Sequence, residues 1–149
     1  MVEEASIERI VQRVRSLGRD DVAEIGRLPV GVHTRWRNLR STKVVVTGPQ
    51  WQHILDRHPE IGELLPDLIT TLRDPDEIYT NGEAEPNSAT FWKSLDESGQ
   101  RWIRATVSLA TPEKGVGIDN SVITARKSRR RGYLRDIRAE VKVWVKGET

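Results

Sequence analysis

The spacing of apolar residues predicts helices in the first half of the chain. Apolar residues recur at helical spacing over positions 7–14 and the pattern stops at Gly18, which predicts an amphipathic first helix. Residues 19–28 are predicted as a short second helix. Residues 28–43 show no clean period and carry several positive charges, so we expect a linker or an irregular strand there.

A tighter pattern begins after this irregular segment. A β-branched run at 43–48 ends in a turn and N-cap region around Thr47, and a helical pattern then extends to Pro59. Residues 60–75 form another helical stretch that Pro66 interrupts. We therefore expect one strand followed by two helices.

Strand patterns fill the second half of the chain. Four runs rich in β-branched and aromatic residues are separated by turn-like segments, at 76–80, 89–95, 101–109 and 121–128. Such consecutive strands predict an antiparallel meander. The third run alternates, with an apolar set that includes Ile103 on one face and a polar set around Arg104 on the other. A short helix is expected after the fourth run, before the apolar end of the chain. Helices first and a meander afterwards predict an α+β fold, with helices packed on an antiparallel sheet.

Composition limits the class of protein. The 149 residues suit one domain, and a hydrophobic fraction of 36% with five tryptophans predicts a folded chain despite a mean hydropathy of -0.56. The chain has no cysteine, which excludes disulfides and thiolate chemistry. The N-terminus lacks a signal-peptide pattern, and no window approaches 18 apolar residues. We therefore expect a cytoplasmic protein without a membrane partner.

Charge is distributed unevenly along the chain. Residues 50–100 carry 3 basic and 11 acidic side chains, whereas residues 101–149 carry 12 basic and 5 acidic ones. The basic cluster at 125–138 would suit a polyanion such as nucleic acid, because Lys and Arg displace counterions from phosphate. Alternatively, the acidic middle neutralises this cluster within the fold or across a homo-oligomer.

The paired histidines of "WQHILDRHPE" do not have the spacing of a zinc helix. Zinc-binding histidines on a helix lie four residues apart, whereas His53 and His58 lie five apart, about 140° around an ideal helix. The third histidine, His33, lies in the irregular segment. We therefore expect no metal and no other cofactor.

Another use of these residues is proton transfer. His58 sits at the end of a helix, where an imidazole is able to move protons or simply to cap carbonyl groups and pack. Polar strand residues are expected to line the open face of the sheet, where cations hold a phosphate and hydroxyls donate hydrogen bonds. These residues are Lys93, Arg104, Thr124, Arg126 and Ser128. A solvated sheet face is the alternative explanation for each of them.

The chain resembles a known nuclease family over residues 43 to 128. The motifs that carry the resemblance are His-Ile and Arg-His-Pro in "WQHILDRHPE", the following "DPDEIY", and the strand segments "FWKSL" and "SVITARKS". Together they resemble the phage-associated branch of the barnase/EndoU/colicin/RelE-like (BECR) nucleases. The resemblance divides the chain into an N-terminal helical arm or extension at 1–42 and a nuclease domain at 43–149.

The resemblance implies a metal-independent endoribonuclease, toxin-like or phage-derived, in which the ribose 2′-hydroxyl attacks the adjacent phosphate. It implies helices on one face of the sheet and the site on the other face or at its edge. His58 would be the general base or acid, Arg104 and Arg126 would clamp phosphate, Lys93 would stabilise the transition state, and Ser128 or Thr124 would donate a hydrogen bond. Further substrate-binding candidates are His53, Arg57, Arg129 and Arg130.

Other functions are also compatible with these residues. The chain would bind RNA, such as tRNA or mRNA, and an antitoxin or immunity protein would be a further partner. One alternative is a nucleic-acid-binding module without catalysis, in which the histidines are structural. Another is a subunit of a toxin–antitoxin or phage assembly, in which copies of the chain associate.

Overall fold

A computed structural model of the protein describes residues 2–29, 32, 36, 39–80, 87–111 and 119–147, with side chains from residue 6 onward. The fold is mixed α+β. The helices of this described part are α1 (Val2–Arg15), α2 (Gly48–Arg57), α3 (Leu65–Arg73) and α4 (Arg130–Arg138), with a 3-10 helix at Pro59–Gly62. The strands are β1 (Val22–Arg27), β2 (Lys43–Thr47), β3 (Glu77–Thr80), β4 (Ser88–Ser94), β5 (Arg101–Ser108), β6 (Asn120–Arg129) and β7 (Val141–Val145).

All seven strands form one sheet in the order β1-β2-β6-β5-β4-β3-β7. Strands β3 to β6 pair antiparallel with their sequence neighbours, which confirms the predicted meander. The pairing of β2 with β6 is parallel, because these strands are distant in sequence and the intervening elements carry the chain back to the same end of the sheet. The sheet is therefore mostly antiparallel.

Residues 19–28 do not form the predicted helix. Residues 22–27 are a strand, in which the buried side chains of Ala23 and Ile25 alternate with the exposed ones of Val22 and Glu24. Alternation with period two outweighs the weak helical pattern because β1 pairs along β2. This placement also requires a glycine at position 26, since a Cβ there would lie 2.9 Å from the carbonyl oxygen of Leu72.

The first 42 residues share the hydrophobic core with the rest of the chain. Val11 and Val14 of α1 and Ile25 of β1 are at most 1% exposed and belong to the same cluster as Ile54 and Phe91. The predicted boundary at residue 42 therefore runs between two neighbouring strands of one sheet and does not separate two cores.

The predicted helix of the "WQHILDRHPE" segment is confirmed. The Thr47 hydroxyl accepts a hydrogen bond from the Gln50 backbone N–H at 3.2 Å, which satisfies one free donor at the start of α2. The helix ends at Arg57, and the next backbone N–H, that of His58, donates to the Ile54 carbonyl. Pro66 does not interrupt a helix as expected, because it lies in the first turn of α3, where a proline needs no hydrogen-bond partner.

Helices α1, α2 and α3 cover one face of the sheet. The apolar set of β5 lies on this face, where Ile103 and Val107 are fully buried, as the alternation predicts, together with Leu109 just beyond the strand. No helix in the described part of the chain is long and apolar enough to cross a membrane.

The opposite face of the sheet is covered by α4, contrary to the expectation of an open polar face. Tyr133 of α4 stacks on Trp102 with ring centroids 3.9 Å apart and an interplanar angle of 4°, and it meets Trp92 edge-on at 5.1 Å. Leu134 and Ile137 pack against the same cluster. Helix α4 docks there because these aromatic rings bury a large apolar area on the otherwise polar face.

Candidate nucleic-acid interface

Arg104 and Arg126, the two predicted phosphate clamps, lie together beneath α4. They are directly opposite each other in β5 and β6. The Arg104 guanidinium donates to Glu140 at 3.0 Å, and the Arg126 guanidinium donates to Asp136, whose carboxylate also lies 4.0 Å from Arg104 Nε. The two acidic residues of the 129–147 stretch therefore already neutralise this pair of arginines.

The burial of these ion pairs indicates that they have a structural role. The Glu140 side chain is only 3% exposed, and burial raises the pKa of Glu140 although the Arg104 guanidinium opposes the shift. Arg104 also lies 5.7 Å from the centre of the Trp92 ring, within reach of a cation–π interaction. These contacts hold α4 and the following turn on the sheet.

Lys93, the predicted transition-state cation, lies on the other face. Trp92 is opposite Arg104 in the sheet, so the next residue, Lys93, points towards the face that α1–α3 cover. Its ammonium donates to the Asp74 carbonyl at 2.7 Å and lies 3.5 Å and 3.6 Å from the carboxylates of Asp74 and Asp76. The structure therefore does not bring Lys93 together with the arginines.

The carboxylate of Asp74, beside Lys93, is stabilised in its charged form. Burial alone would raise the pKa of Asp74, but the hydrogen bond and charge of Lys146 and the charge of Lys93 together hold it below its ordinary value. The ammonium of Lys146 lies 2.9 Å from the Asp74 carboxylate. This cluster ties the end of β7 to the segment that follows α3.

His58 lies at a third place, where the 3-10 helix meets β6. Its Nδ1 is 3.9 Å from a carboxylate oxygen of Glu60, and the same oxygen is 3.5 Å from the backbone nitrogen of Lys127. The His58 side chain is 30% exposed, so it is accessible to a ligand. In the described chain no hydrogen bond or ion pair joins His58 to Lys93, Arg104 or Arg126, and His58 borders the C-terminal end of β6.

A depression of about 510 Å³ lies at this end of β6. We call it the basic groove; its lining residues are Gln100, Arg101, Lys127, Arg129, Arg130 and Arg131. All five cations are exposed, and none forms an ion pair with a residue that the structure describes. Arg101 and Arg129 are directly opposite each other in the sheet, an unfavourable pairing of like charges that a bound anion would relieve.

Backbone contacts fix the shape of the basic groove. The Arg130 N–H donates to the Gln100 carbonyl at 2.9 Å, which ties the start of α4 to the β4–β5 turn. Gly99 in this turn has a φ of 69°, a conformation that glycine adopts without strain. The groove is therefore held by a hairpin on one side and a helix start on the other.

The sequence predicted part of this groove. Arg129 and Arg130 are predicted substrate-binding residues and line the groove. Lys127 and Arg131 also line it and belong to the basic cluster predicted to suit nucleic acid, whereas neither Arg101 nor the neighbouring Glu60 is among the predicted site residues. Arg101 stands at the start of β5, and only the strand register places it beside Arg129. Lys127 lies two residues before Arg129 in β6, so alternation alone puts both on the same face. Glu60 follows directly on the His-Pro motif, which is the one local signal that pointed to it.

The remaining candidates lie outside the basic groove. The Ser128 hydroxyl donates to the Arg129 carbonyl at 3.1 Å, and Thr124 is half-buried opposite Thr106. His53 and Arg57 are exposed on α2, and His53 lines a shallow depression with Pro49, Gln50 and Ile123. His33 lies outside the described residues. Within those residues, no group of three His, Cys, Asp or Glu side chains has the arrangement of a metal site.

Comparisons of this chain with models of known families, with curated proteins and with solved structures find no match. The resemblance to the BECR nucleases therefore depends on the quoted motifs alone and stays a prediction.

Proposed function

We propose that this protein is an endoribonuclease that binds RNA in the basic groove and uses His58 and Glu60 for proton transfer. The observation that carries the proposal is the contact of Glu60 with both His58 and the Lys127 backbone, at 3.9 Å and 3.5 Å. It joins two proton-transfer groups to cations that form no ion pair with any residue the structure describes. That combination suits phosphodiester cleavage, because cations stabilise the charge on the phosphate while titratable groups move protons.

The proposed reaction needs only the RNA and these side chains. The 2′-hydroxyl loses its proton to the base, and its oxygen forms a bond to phosphorus. The bond from phosphorus to the 5′-oxygen breaks as that oxygen takes a proton from the acid. The products are a 2′,3′-cyclic phosphate and a 5′-hydroxyl. Either member of the His58–Glu60 pair is able to act as base while the other acts as acid.

The roles of the arginines differ from those that the sequence suggested. Arg101, Lys127 and Arg129 are the proposed phosphate-binding cations, because they are exposed and lack a carboxylate partner in the described chain. Arg104 and Arg126 are assigned to holding α4, since a phosphate would have to displace the carboxylates that already bind them. The family resemblance supports the choice of His58, which belongs to its helix motif.

A second candidate function is RNA binding without cleavage. The observation that favours it is that Lys93, Arg104 and Arg126 are each bound to a carboxylate of the protein, so three of the cations expected around the reacting phosphate are already neutralised. Binding itself needs only the exposed cations of the basic groove.

The two functions are separated by cleavage and binding assays in EDTA. We expect the wild-type protein to cut RNA, but not DNA of the same sequence, and to leave cyclic phosphate ends. His58→Ala and Glu60→Gln should each slow cleavage by about 10²–10⁴-fold, the usual contribution of general acid–base catalysis. His53→Ala is the matched control and should cleave at the wild-type rate.

Three outcomes decide between the candidate functions. Cleavage that persists in both His58→Ala and Glu60→Gln would refute the assigned roles. Salt-sensitive RNA binding without cleavage by the wild-type protein would favour the binding module. A protein that neither binds nor cuts RNA would contradict both functions.

A further inference from the structure

The two sides of α4 carry opposite charges. Asp136 faces the sheet, where it binds Arg126, and Glu140 just beyond the helix binds Arg104. The arginines of the helix at positions i, i+4 and i+7 lie on its outer side, one above the other. We call this set the arginine stripe; it consists of Arg131, Arg135 and Arg138, and all three are exposed.

The positive charge of the arginine stripe is barely compensated. Arg135 Nε lies 3.3 Å from Asp136, but that pair is on the surface and the same carboxylate also binds Arg126. Arg131 and Arg138 form no ion pair within the described part of the chain. Like charges at helical spacing repel each other, so a bound anion would stabilise this side of the helix.

The arginine stripe continues the basic groove. The stripe lines a depression of about 580 Å³ together with Gly132 and Leu134, and Arg131 lines both this depression and the groove. Gly132 permits the close approach of α4 to β6, since a Cβ there would lie 2.7 Å from the Ser128 hydroxyl. Arg131 therefore joins the two positively charged depressions, one at the end of β6 and the other on the outside of α4.

The side chains that line the depression beside the arginine stripe favour phosphate groups as its ligand. Guanidinium groups match phosphate oxygens with paired hydrogen bonds. No aromatic side chain lines this depression in the described chain, so it offers no aromatic ring on which successive bases could stack. Contacts of the guanidinium groups to phosphate would read the backbone and not the sequence. Each depression has a volume within the ~300–1,000 Å³ of small-ligand sites, so both together exceed the needs of one nucleotide.

We infer that the arginine stripe is a second phosphate-binding subsite, which holds the single-stranded RNA that flanks the phosphate bound in the basic groove. The inference depends on the proposed function, because it takes RNA as the ligand of the groove. It adds that the substrate is longer than a dinucleotide and that the flank is bound through its phosphates, whatever its base sequence.

The test compares two double variants and two lengths of RNA. Arg135→Gln with Arg138→Gln changes the stripe but leaves Arg131 and the basic groove intact. Arg9→Gln with Arg19→Gln is the matched control, since it removes the same charge from exposed positions in and after α1. The probes are a dinucleotide and a 2′-O-methyl RNA of twelve nucleotides, which lacks the attacking hydroxyl and reports binding alone.

We expect the stripe variant to bind the twelve-nucleotide RNA less tightly and with less dependence on salt. Removal of two phosphate-binding cations lowers the slope of log K against log salt for a single strand by about 1.4, which corresponds to about 25-fold weaker binding at 0.1 M salt. Cleavage of the unmodified dinucleotide should be unchanged, because it occupies only the groove. The control variant should behave like the wild-type protein with both probes.

Two results would overturn the inference, and they differ in what they say of the proposed function. If the stripe variant binds the long RNA with wild-type affinity and slope while His58→Ala abolishes cleavage, the subsite is absent and the proposed function stands. If the wild-type protein binds neither probe, both fail together. Urea unfolding of the stripe variant checks its fold, and we expect its stability to be unchanged or higher.

Discussion

The replacement of Arg104 by methionine distinguishes a structural arginine from a phosphate clamp. In Arg104→Met the Glu140 carboxylate, 3% exposed, loses the guanidinium that lies 3.0 Å away. Removal of one partner from a buried ion pair costs about 3–5 kcal/mol. The Arg104 side chain is 19% exposed, so we take the lower end, about 3 kcal/mol.

A double variant removes both charges of this ion pair. In Arg104→Met with Glu140→Leu no buried charge is left unpaired at this position, and Arg126 keeps its contact with Asp136. Replacement of a buried pair by apolar side chains is often neutral or stabilising. We therefore expect the double variant to recover most of the stability that the single variant loses.

The assay is urea unfolding followed by tryptophan fluorescence. With an m-value of about 2 kcal/mol/M, a loss of about 3 kcal/mol lowers the midpoint by about 1.5 M urea. The matched control is Arg27→Met, which breaks an exposed pair with Glu24 and should change stability by less than about 0.5 kcal/mol.

The loss of stability in Arg104→Met should also depend on pH. Burial raises the pKa of Glu140, and removal of the guanidinium raises it further. An acid whose pKa is raised by folding adds stability below its unfolded pKa and loses it as the pH rises through the folded pKa. Arg104→Met should therefore lose more stability near about pH 8 than near about pH 4.

Two results would refute the structural role of Arg104. One is a single variant whose stability is within about 0.5 kcal/mol of the wild-type value. The other is a double variant that folds stably but no longer cleaves RNA, because a structural arginine has no further effect once the fold is restored.

Three further predictions concern other parts of the structure. Tyr79 and Tyr133 are the two tyrosines of the chain, and burial beside Glu77 raises the pKa of Tyr79 to about 12 and raises that of Tyr133 further. Ultraviolet titration of the native protein should therefore show little tyrosinate at about pH 10.5, and stability should fall as the pH rises through about 10 to 12. Ordinary titration of one tyrosine near pH 10 would contradict this prediction. Gly132→Ala should cost about 1–3 kcal/mol because its Cβ would lie 2.7 Å from the Ser128 hydroxyl, and adding Ser128→Ala should restore the midpoint of urea unfolding. A double variant that stays as unstable as Gly132→Ala would contradict this clash as the cause. Lys93→Gln should lower stability by about 1 kcal/mol, because the ion pairs of the Lys93 ammonium with Asp74 and Asp76 are removed. The cleavage rate per folded molecule should be unchanged, and a large loss of rate would show that Lys93 takes part in the reaction.

The sequence predicted the elements whose signals are local. The amphipathic period of α1, the Thr47 cap before α2 and the alternation of β5 each arise within a few residues, so the structure confirms them. The basic end of the chain was likewise visible from charge alone. These features need no knowledge of which strands become neighbours.

The candidate site depended on information that the sequence does not carry. Lys93 and Arg104 belong to different strands, and their faces are related only through the register that places Trp92 opposite Arg104. A shift of one residue would have put both cations on the same face. In the same way, Arg101 lies beside Arg129 only because of the pairing between β5 and β6.

The return of α4 over the polar face was also decided by the tertiary structure. The sequence predicted the helix and the polar face separately, but not that Tyr133 would stack on Trp102 or that Glu140 would meet Arg104, 36 residues earlier. Local pattern determined most of the helices and strands and their apolar sides, whereas residues 22–27 became a strand and not the predicted helix through their pairing with β2. Only packing decided which polar groups neutralise each other and which stay free for a ligand, because such pairings join residues that are distant in the chain.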